Sequence, residues 1–197
     1  DAALAEGATR FVVNAHHKAE LLADHIERLG AALPDIAFAV SHEKPRLLDT
    51  GGGLRKAMPL MQSDPVLVMH TDSFWLPRTD RPIARMIAAF AGNDVDAVAL
   101  CVRPDRASGY LKGADFLLSS DGMISRTVGR PVVYAGVALV SHQLASSGPD
   151  VPFSLHRHFE TARDAGRLLG VEIETDWYHV GDPTAIARTE QQIGALV

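Results

Sequence analysis

The sequence predicts an α/β fold built on a mixed, mainly parallel sheet with helices on both faces. Short β-rich runs alternate with amphipathic helical runs through the first half of the chain, which is the pattern of right-handed β-α-β units. The 197 residues, 47% of them hydrophobic, suffice for one sizeable core. We therefore expect a single Rossmann-like domain over residues 1–197.

Each element follows from local periodicity and from Gly, Pro and Asp punctuation. In the first half, strands are predicted at "RFVVNA", "DIAFAV", "PVLVMH" and "VDAVALCV", and helices at "HKAELLADHIERLG", "LRKAMPLM" and "PIARMIAAFAG". Gly30 is the expected C-terminal cap of the first of these helices. The near-continuous apolar character of "PVLVMH" suits a central parallel strand.

The second half of the chain favours more antiparallel pairing. "DFLLSSDGMISR" is typical of a hairpin turning at Asp121-Gly122, and "VVYAGVALVS" reads as another strand. A helix follows and ends at Gly166, "GVEIETDWYHV" is extended, and the closing helix has Pro183 in its first turn. "DAALAEGATR" reads as the tail of a helix, so we expect a strand, a loop and a helix to be missing upstream.

Composition excludes several classes of function. A net charge of -5 without a Lys/Arg cluster argues against a nucleic-acid partner, though a single nucleotide remains possible. No apolar run approaches the roughly 20 residues that a membrane span needs. The single Cys101 forms no internal disulfide, fits a reducing compartment, and reads as buried core within "DAVALCV". We expect a cytoplasmic protein.

Two stretches could carry chemistry. Asp72 follows a buried parallel strand, at the sheet edge where such folds bind ligands, so it is either a Mg²⁺ ligand or merely a turn former or helix cap. In "LLDTGGGLRKA" three glycines precede a helix, which indicates either a loop that a ligand approaches closely or a flexible turn. The His16-His17 and His156-x-His158 pairs lack the spacing of a zinc site.

Together, "DTGGGLRKAMPLM", "PVLVMHTD" and "ETDWYHVGDPTAI" resemble the sugar-1-phosphate nucleotidyltransferases. The branch most similar contains N-acetylmuramate-1-phosphate uridylyltransferases and mannose-1-phosphate guanylyltransferase-like enzymes. The resemblance implies a nucleotide-diphospho-sugar transferase fold and transfer of a nucleoside monophosphate from an NTP to a sugar-1-phosphate. In that chemistry the sugar-phosphate oxygen attacks the α-phosphorus and pyrophosphate leaves, so no protein nucleophile is needed.

The resemblance also implies residue roles. Asp72 becomes the catalytic, metal-binding aspartate, with Mg²⁺ as the expected ion. The nucleotide would lie against Thr50, Gly51, Gly52 and Gly53, and the sugar-phosphate against Gly113, Asp115 and Gly136.

Two departures from the family accompany these roles. The family's G-x-G-x-R-x-x-P loop is absent, which favours a trimmed chain over a protein that truly lacks the loop. His179 stands where the second metal ligand is usually aspartate in W-x-D-x-G, and an imidazole suits Mn²⁺ or Zn²⁺ better than Mg²⁺. Asp182 could compensate, but helix N-capping before Pro183 is the preferred interpretation. The rival to an enzyme is an inactive nucleotide- or sugar-phosphate-binding module of the same fold.

Overall fold

The computed structural model describes residues 2–76 and 80–194. The strands are β1 Arg10–Ala15, β2 Ala37–His42, β3 Val66–Met69, β4 Ser73–Trp75, β5 Ala97–Val102, β6 Ala107–Ser108, β7 Phe116–Leu118, β8 Ile124–Ser125, β9 Arg130–Val140, β10 Leu168–Glu172 and β11 Trp177–His179. The α-helices are α1 Ala2–Ala5, α2 Ala19–Ala32, α3 Asp49–Ala57, α4 Pro82–Ala91, α5 His142–Ala145, α6 His156–Asp164 and α7 Pro183–Gly194. Short 3-10 turns occupy Met58–Leu60 and Pro104–Arg106.

Residue contacts divide the chain into two compact units. The first unit comprises the residues up to Val66 together with Val140–Thr161, and the second comprises Leu67–Leu139 and the residues from Ala162 onward. The single domain expected from the sequence stays a prediction.

In the first unit, β1 and β2 form a parallel pair. Their register aligns Arg10 with Ala37 and continues to Ala15 opposite His42. Helix α2 packs on β2, and its buried face carries Ala19 and Ile26, as the apolar spacing predicts. Helix α3 contacts both strands. This parallel pair confirms the β-α-β character expected for the start of the chain.

The second unit holds most of the core around β5, all six residues of which are buried. β10 pairs with β5 in parallel, and the sheet continues in the order β10-β5-β9-β7-β8, with β3 also paired to β9. Helix α4 contacts β5 and β10, and Met86 on its buried face joins the core cluster. β7 is antiparallel to both β8 and β9, which confirms the predicted hairpin at Asp121-Gly122 and the appearance of antiparallel pairing in the second half of the chain.

A three-stranded sheet of order β4-β11-β6 completes the second unit. β11 is antiparallel to β4 and parallel to β6. The stretch "GVEIETDWYHV", predicted to be extended, contains two strands in different sheets: β10 pairs with β5, whereas β11 belongs to this separate sheet.

Several helix boundaries differ from the prediction; α6, for example, ends at Asp164 and not at Gly166. Helix α2 does not end at Gly30 but continues to Ala32; Gly30 keeps a negative φ, and the following Pro34 stops the helix because proline cannot continue it. Helix α3 begins at Asp49, so the three glycines are not a loop before the helix but its first turns. The closing helix is confirmed to Gly194, and its predicted last residues 195–197 lie outside the described part of the chain.

None of the helices within residues 2–76 and 80–194 combines the length and the apolar character that crossing a membrane requires.

Candidate active site

Asp72 lies in the turn that joins β3 to β4, directly before Ser73, the first residue of β4. Its main-chain carbonyl accepts a hydrogen bond from the N–H of Val180, at 2.7 Å. The side chain is about half exposed, at 50% of its surface. The carboxylate therefore lies just beyond the end of a strand, where the sequence predicts it, and is partly exposed; its contact with a ligand stays a prediction.

The pairing of β4 with β11 brings His179 to Asp72. The antiparallel register places His179 opposite Ser73, the residue after Asp72. The Nε2 of His179 lies 3.5 Å from Oδ2 of Asp72. The two side chains that the family resemblance assigned to a metal are thus brought together, although 107 positions separate them in the sequence.

Neighbouring aromatic rings fix the imidazole of His179. It is stacked on Trp177, with ring centroids 6.0 Å apart and planes 24° apart, and Tyr110 meets it edge-on at 6.3 Å. Gly181 lies against another part of the ring, because a Cβ there would lie 2.8 Å from the Cε1 of His179. These contacts restrict the rotamers of the imidazole and favour the orientation in which its Nε2 faces Asp72.

Gly136 and His70 lie next to the Asp72 turn. The N–H of His70 donates to the carbonyl of Gly136 at 2.8 Å. Gly136 has φ +77°, and a Cβ there would lie 2.5 Å from the Oγ of Ser73. The structure therefore requires glycine at 136 for close packing, whether or not a sugar also contacts it.

His70 was not singled out from the sequence, yet it borders the candidate site. Its Nε2 is buried and has no hydrogen-bond partner among the described residues. Burial holds the pKa of His70 below its ordinary value, the charge of Asp72 opposes that shift, and His179 adds to it. The available signal was its place in the same "HTDS" turn as Asp72.

Both carboxylate oxygens of Asp115 accept hydrogen bonds from other residues of the protein. Oδ1 accepts a hydrogen bond from the hydroxyl of Tyr110, and Oδ2 accepts one from the N–H of Tyr134 at 2.9 Å. Burial, reinforced by Asp115, raises the pKa of the Tyr110 phenol. Gly113 has φ +85°, and a Cβ added there would have no neighbour within 4 Å among the described residues, so it faces open space. The contact of Gly113 and Asp115 with a sugar-phosphate stays a prediction.

The T-G-G-G segment, Thr50 to Gly53, belongs to the first unit, where α3 packs against the segment around Phe153. The N–H groups of Gly51 and Gly52 donate to the carbonyl of Phe153 at 2.9 and 3.0 Å. The hydroxyl of Thr50 accepts a hydrogen bond from the N–H of Leu155 at 2.8 Å. Thr50 is exposed, whereas the three glycines are buried.

Gly53 faces the opposite side of α3. A Cβ at Gly53 would lie 2.5 Å from Oε1 of Glu43 and 2.8 Å from Nδ2 of Asn14. Glu43 in turn accepts hydrogen bonds from Asn14 at 2.9 Å and from the N–H of Leu48 at 2.8 Å. The glycines therefore serve close packing of α3, and their contact with a nucleotide stays a prediction.

The donor set at Asp72 and His179 fits a divalent cation. One carboxylate oxygen and one imidazole nitrogen 3.5 Å apart, both partly exposed, leave room for water and phosphate oxygens as further ligands. The described residues contain no group of three or more His, Cys, Asp or Glu side chains arranged to hold a metal. Such an ion would depend on its substrate and on water for most of its coordination.

Two further expectations are confirmed. Oδ1 of Asp182 accepts a hydrogen bond from the N–H of Ala185 at 2.8 Å, so Asp182 caps α7 as predicted. Cys101 is fully buried in β5, and burial raises the pKa of its thiol, so it is an unreactive core residue.

Comparisons with known proteins identify relatives of this chain. No family model matches it. N-acetylmuramate alpha-1-phosphate uridylyltransferase from Caulobacter vibrioides is 31% identical over 185 residues, which cover 92% of this chain and 76% of that protein.

Solved structures share the fold at low identity. HddC from Yersinia pseudotuberculosis is 14% identical; the match covers 98% of this chain and 82% of the HddC chain, with a TM-score of 0.71. The inositol-1-phosphate CTP transferase from T. maritima is 16% identical; the match covers 93% of this chain and 75% of the transferase chain, also with a TM-score of 0.71. A UDP-glucose pyrophosphorylase complexed with UDP-glucose is 10% identical, and the match covers 100% of this chain and 84% of that protein, with a TM-score of 0.72. The predicted nucleotide-diphospho-sugar transferase fold is thereby confirmed, and the identity and coverage of the Caulobacter relative show that the chain belongs to the sugar-1-phosphate nucleotidyltransferase family of enzymes.

Proposed function

We propose that this protein transfers a nucleoside monophosphate from an NTP to a sugar-1-phosphate in a reaction that depends on a divalent metal ion. The observation that carries the proposal is the Asp72–His179 pair, brought to 3.5 Å by the β4–β11 register. Because the Caulobacter relative is an N-acetylmuramate alpha-1-phosphate uridylyltransferase, UTP and N-acetylmuramate α-1-phosphate are the first substrates to test.

In the proposed reaction, an oxygen of the sugar-phosphate forms a bond to the α-phosphorus of the NTP. The bond from that phosphorus to the oxygen bridging to the β-phosphate breaks, and pyrophosphate carries the electron pair away. Positioning and charge neutralisation supply the catalysis, because the transferred group needs no covalent protein intermediate.

Each group of residues has one task in the proposed reaction. Asp72 and His179 would hold the ion, Mg²⁺ or Mn²⁺, which would neutralise phosphate charge when bound. Tyr110 and Trp177 keep the imidazole oriented. Thr50 and the glycines after it would contact the nucleotide, while Gly113, Asp115 and Gly136 would border the sugar-phosphate.

The test is pyrophosphate release by the full-length protein. The assay supplies each NTP in turn with a panel of sugar-1-phosphates, and with Mg²⁺ or Mn²⁺. Asp72→Asn keeps the size of the side chain and removes its charge, so we expect turnover to fall at least about 100-fold. Asp24→Asn, on the exposed face of α2, is the matched control and should leave turnover unchanged. Normal turnover by Asp72→Asn would refute the assignment.

The rival function is a binding module of the same fold that does not catalyse. The imidazole at 179 favours it, since an imidazole is a poorer ligand for Mg²⁺ than a carboxylate. Calorimetry that shows nucleotide binding, in a protein that releases no pyrophosphate with either metal, would support the rival.

A further inference from the structure

A basic cavity of about 640 Å³ lies entirely within the first unit. Its volume is in the range of cavities that bind small organic ligands. Four cationic side chains line it: Lys44, Arg46, Arg55 and Lys56. In the sequence these residues are spread over positions 44–56 and form no basic run. The fold of α3 and the preceding segment brings them to one cavity.

The positive charge of this cavity is only partly neutralised. Asp150 is the one acidic residue among the described residues that line it. Arg55 pairs with Asp150 at 3.0 Å, and Lys44 pairs with Glu20 at 3.1 Å. The acidic partners are 99% and 75% exposed, and pairs of this kind contribute little stabilisation in water.

Arg46 and Lys56 make only hydrogen bonds to main-chain carbonyls among the described residues. Arg46 donates to the carbonyl of Asp150 at 3.3 Å, and Lys56 donates to the carbonyl of His42. A carbonyl carries no formal charge, so these two cations keep their affinity for an anion. In a protein of net charge -5 this local excess is a distinct electrostatic feature.

The rest of the cavity wall suits an organic group. Leu48, Met58 and Val151 contribute apolar surface beside the cations. Gly52 of the T-G-G-G segment lines the same cavity, and a Cβ there would lie 3.2 Å from the Cβ of Leu48. A ligand with an anionic end and a flat or apolar body matches this combination of surfaces.

We propose that this cavity binds an organic phosphate, with the phosphate on Arg46 and Lys56, and the organic part against Leu48 and Met58. The ligand is either the nucleotide substrate or a second phosphorylated molecule, since both present the same chemistry. The proposal does not depend on catalysis at Asp72.

The test measures binding of pyrophosphate and of UTP by calorimetry, with EDTA present so that no metal contributes. Arg46→Gln and Lys56→Gln each remove one charge from an exposed side chain, and each should weaken pyrophosphate binding about 10-fold. Arg28→Gln, an exposed residue of α2 that does not line the cavity, is the matched control and should bind as the unmodified protein does.

A competition arm identifies the source of the phosphate. If UTP prevents pyrophosphate binding and both variants bind UTP more weakly, the cavity holds the nucleotide substrate. If pyrophosphate binds equally well to protein saturated with UTP, it holds a second ligand. Unchanged pyrophosphate affinity in both Arg46→Gln and Lys56→Gln would overturn the proposal. A protein that binds pyrophosphate here but releases none from an NTP would contradict only the proposed function.

Discussion

Because Gly51 is buried in α3, we expect its replacement by alanine to lower the free energy of unfolding. Gly51→Ala adds a methyl group to the face of α3 that packs on Phe153. The Cβ would lie 2.5 and 2.7 Å from two ring carbons of Phe153 and 2.9 Å from its carbonyl oxygen. The ring could rotate, but the carbonyl is main chain and already accepts hydrogen bonds from Gly51 and Gly52. The segment around Phe153 must therefore shift.

Two opposing effects set the magnitude. Replacing a helical glycine by alanine favours the helix by about 1 kcal/mol. Overpacking a closely packed site costs about 1–3 kcal/mol, and distances as short as those at Gly51 belong at the upper end of that range. We expect a net loss of about 2 kcal/mol in the free energy of unfolding of Gly51→Ala.

Gly30→Ala in α2 is the matched control. Gly30 is also helical, but its nearest neighbour to a new Cβ is Cδ2 of Phe38 at 3.8 Å, an ordinary contact. Only the helix-propensity gain should remain, so this variant should be more stable by about 0.5–1 kcal/mol. Urea unfolding followed by circular dichroism measures both. If Gly51→Ala is as stable as Gly30→Ala, the packing explanation of the glycine run is wrong.

Three other predictions follow from single contacts. Asp182→Ala should lower the free energy of unfolding by about 1 kcal/mol through loss of the α7 cap, whereas Asp182→Asn should not, and neither should change turnover per folded molecule. Burial lowers the pKa of His158, so the unfolded chain binds the proton more readily; urea unfolding should show stability falling as pH drops below about 6.5, and less so in His158→Leu. Cys101 should react with a thiol reagent only under unfolding conditions, and rapid reaction in the native protein would contradict its burial.

The features predictable from the sequence are those set by local signals. The hairpin at Asp121-Gly122 formed as expected because the Asp-Gly pair marks a turn, and Gly122 indeed takes φ +85°. The cap at Asp182 formed because a capping side chain directly precedes a proline suited to the first turn of a helix. In both cases the deciding interaction joins residues within three positions of each other.

The glycine run shows why other features could not be predicted. Three consecutive glycines have poor helix propensity, and local reasoning places them in a loop. Their helical state depends on Phe153, which lies about 100 positions later and accepts hydrogen bonds from two of them. No periodicity within "DTGGGLRKA" carries that information.

The candidate site was predictable only in part for the same reason. Asp72 was found from its position after a strand, but its pairing with His179 rests on β4, a three-residue strand that the sequence pattern did not reveal. The family resemblance identified His179 as a candidate, but it did not identify the residues that pack around its ring. Trp177 and Tyr110, which orient its ring, are identified only by the packing of β11 and the segment after β6.

Asp115 links these surroundings to the predicted substrate residues. Its carboxylate accepts hydrogen bonds from the hydroxyl of Tyr110 and the N–H of Tyr134, so both oxygens already have protein donors. Tyr110 in turn packs edge-on against His179. A substitution at Asp115 would therefore act on the ring that orients His179, and through it on the geometry of the Asp72–His179 pair, even if no sugar-phosphate ever contacts Asp115.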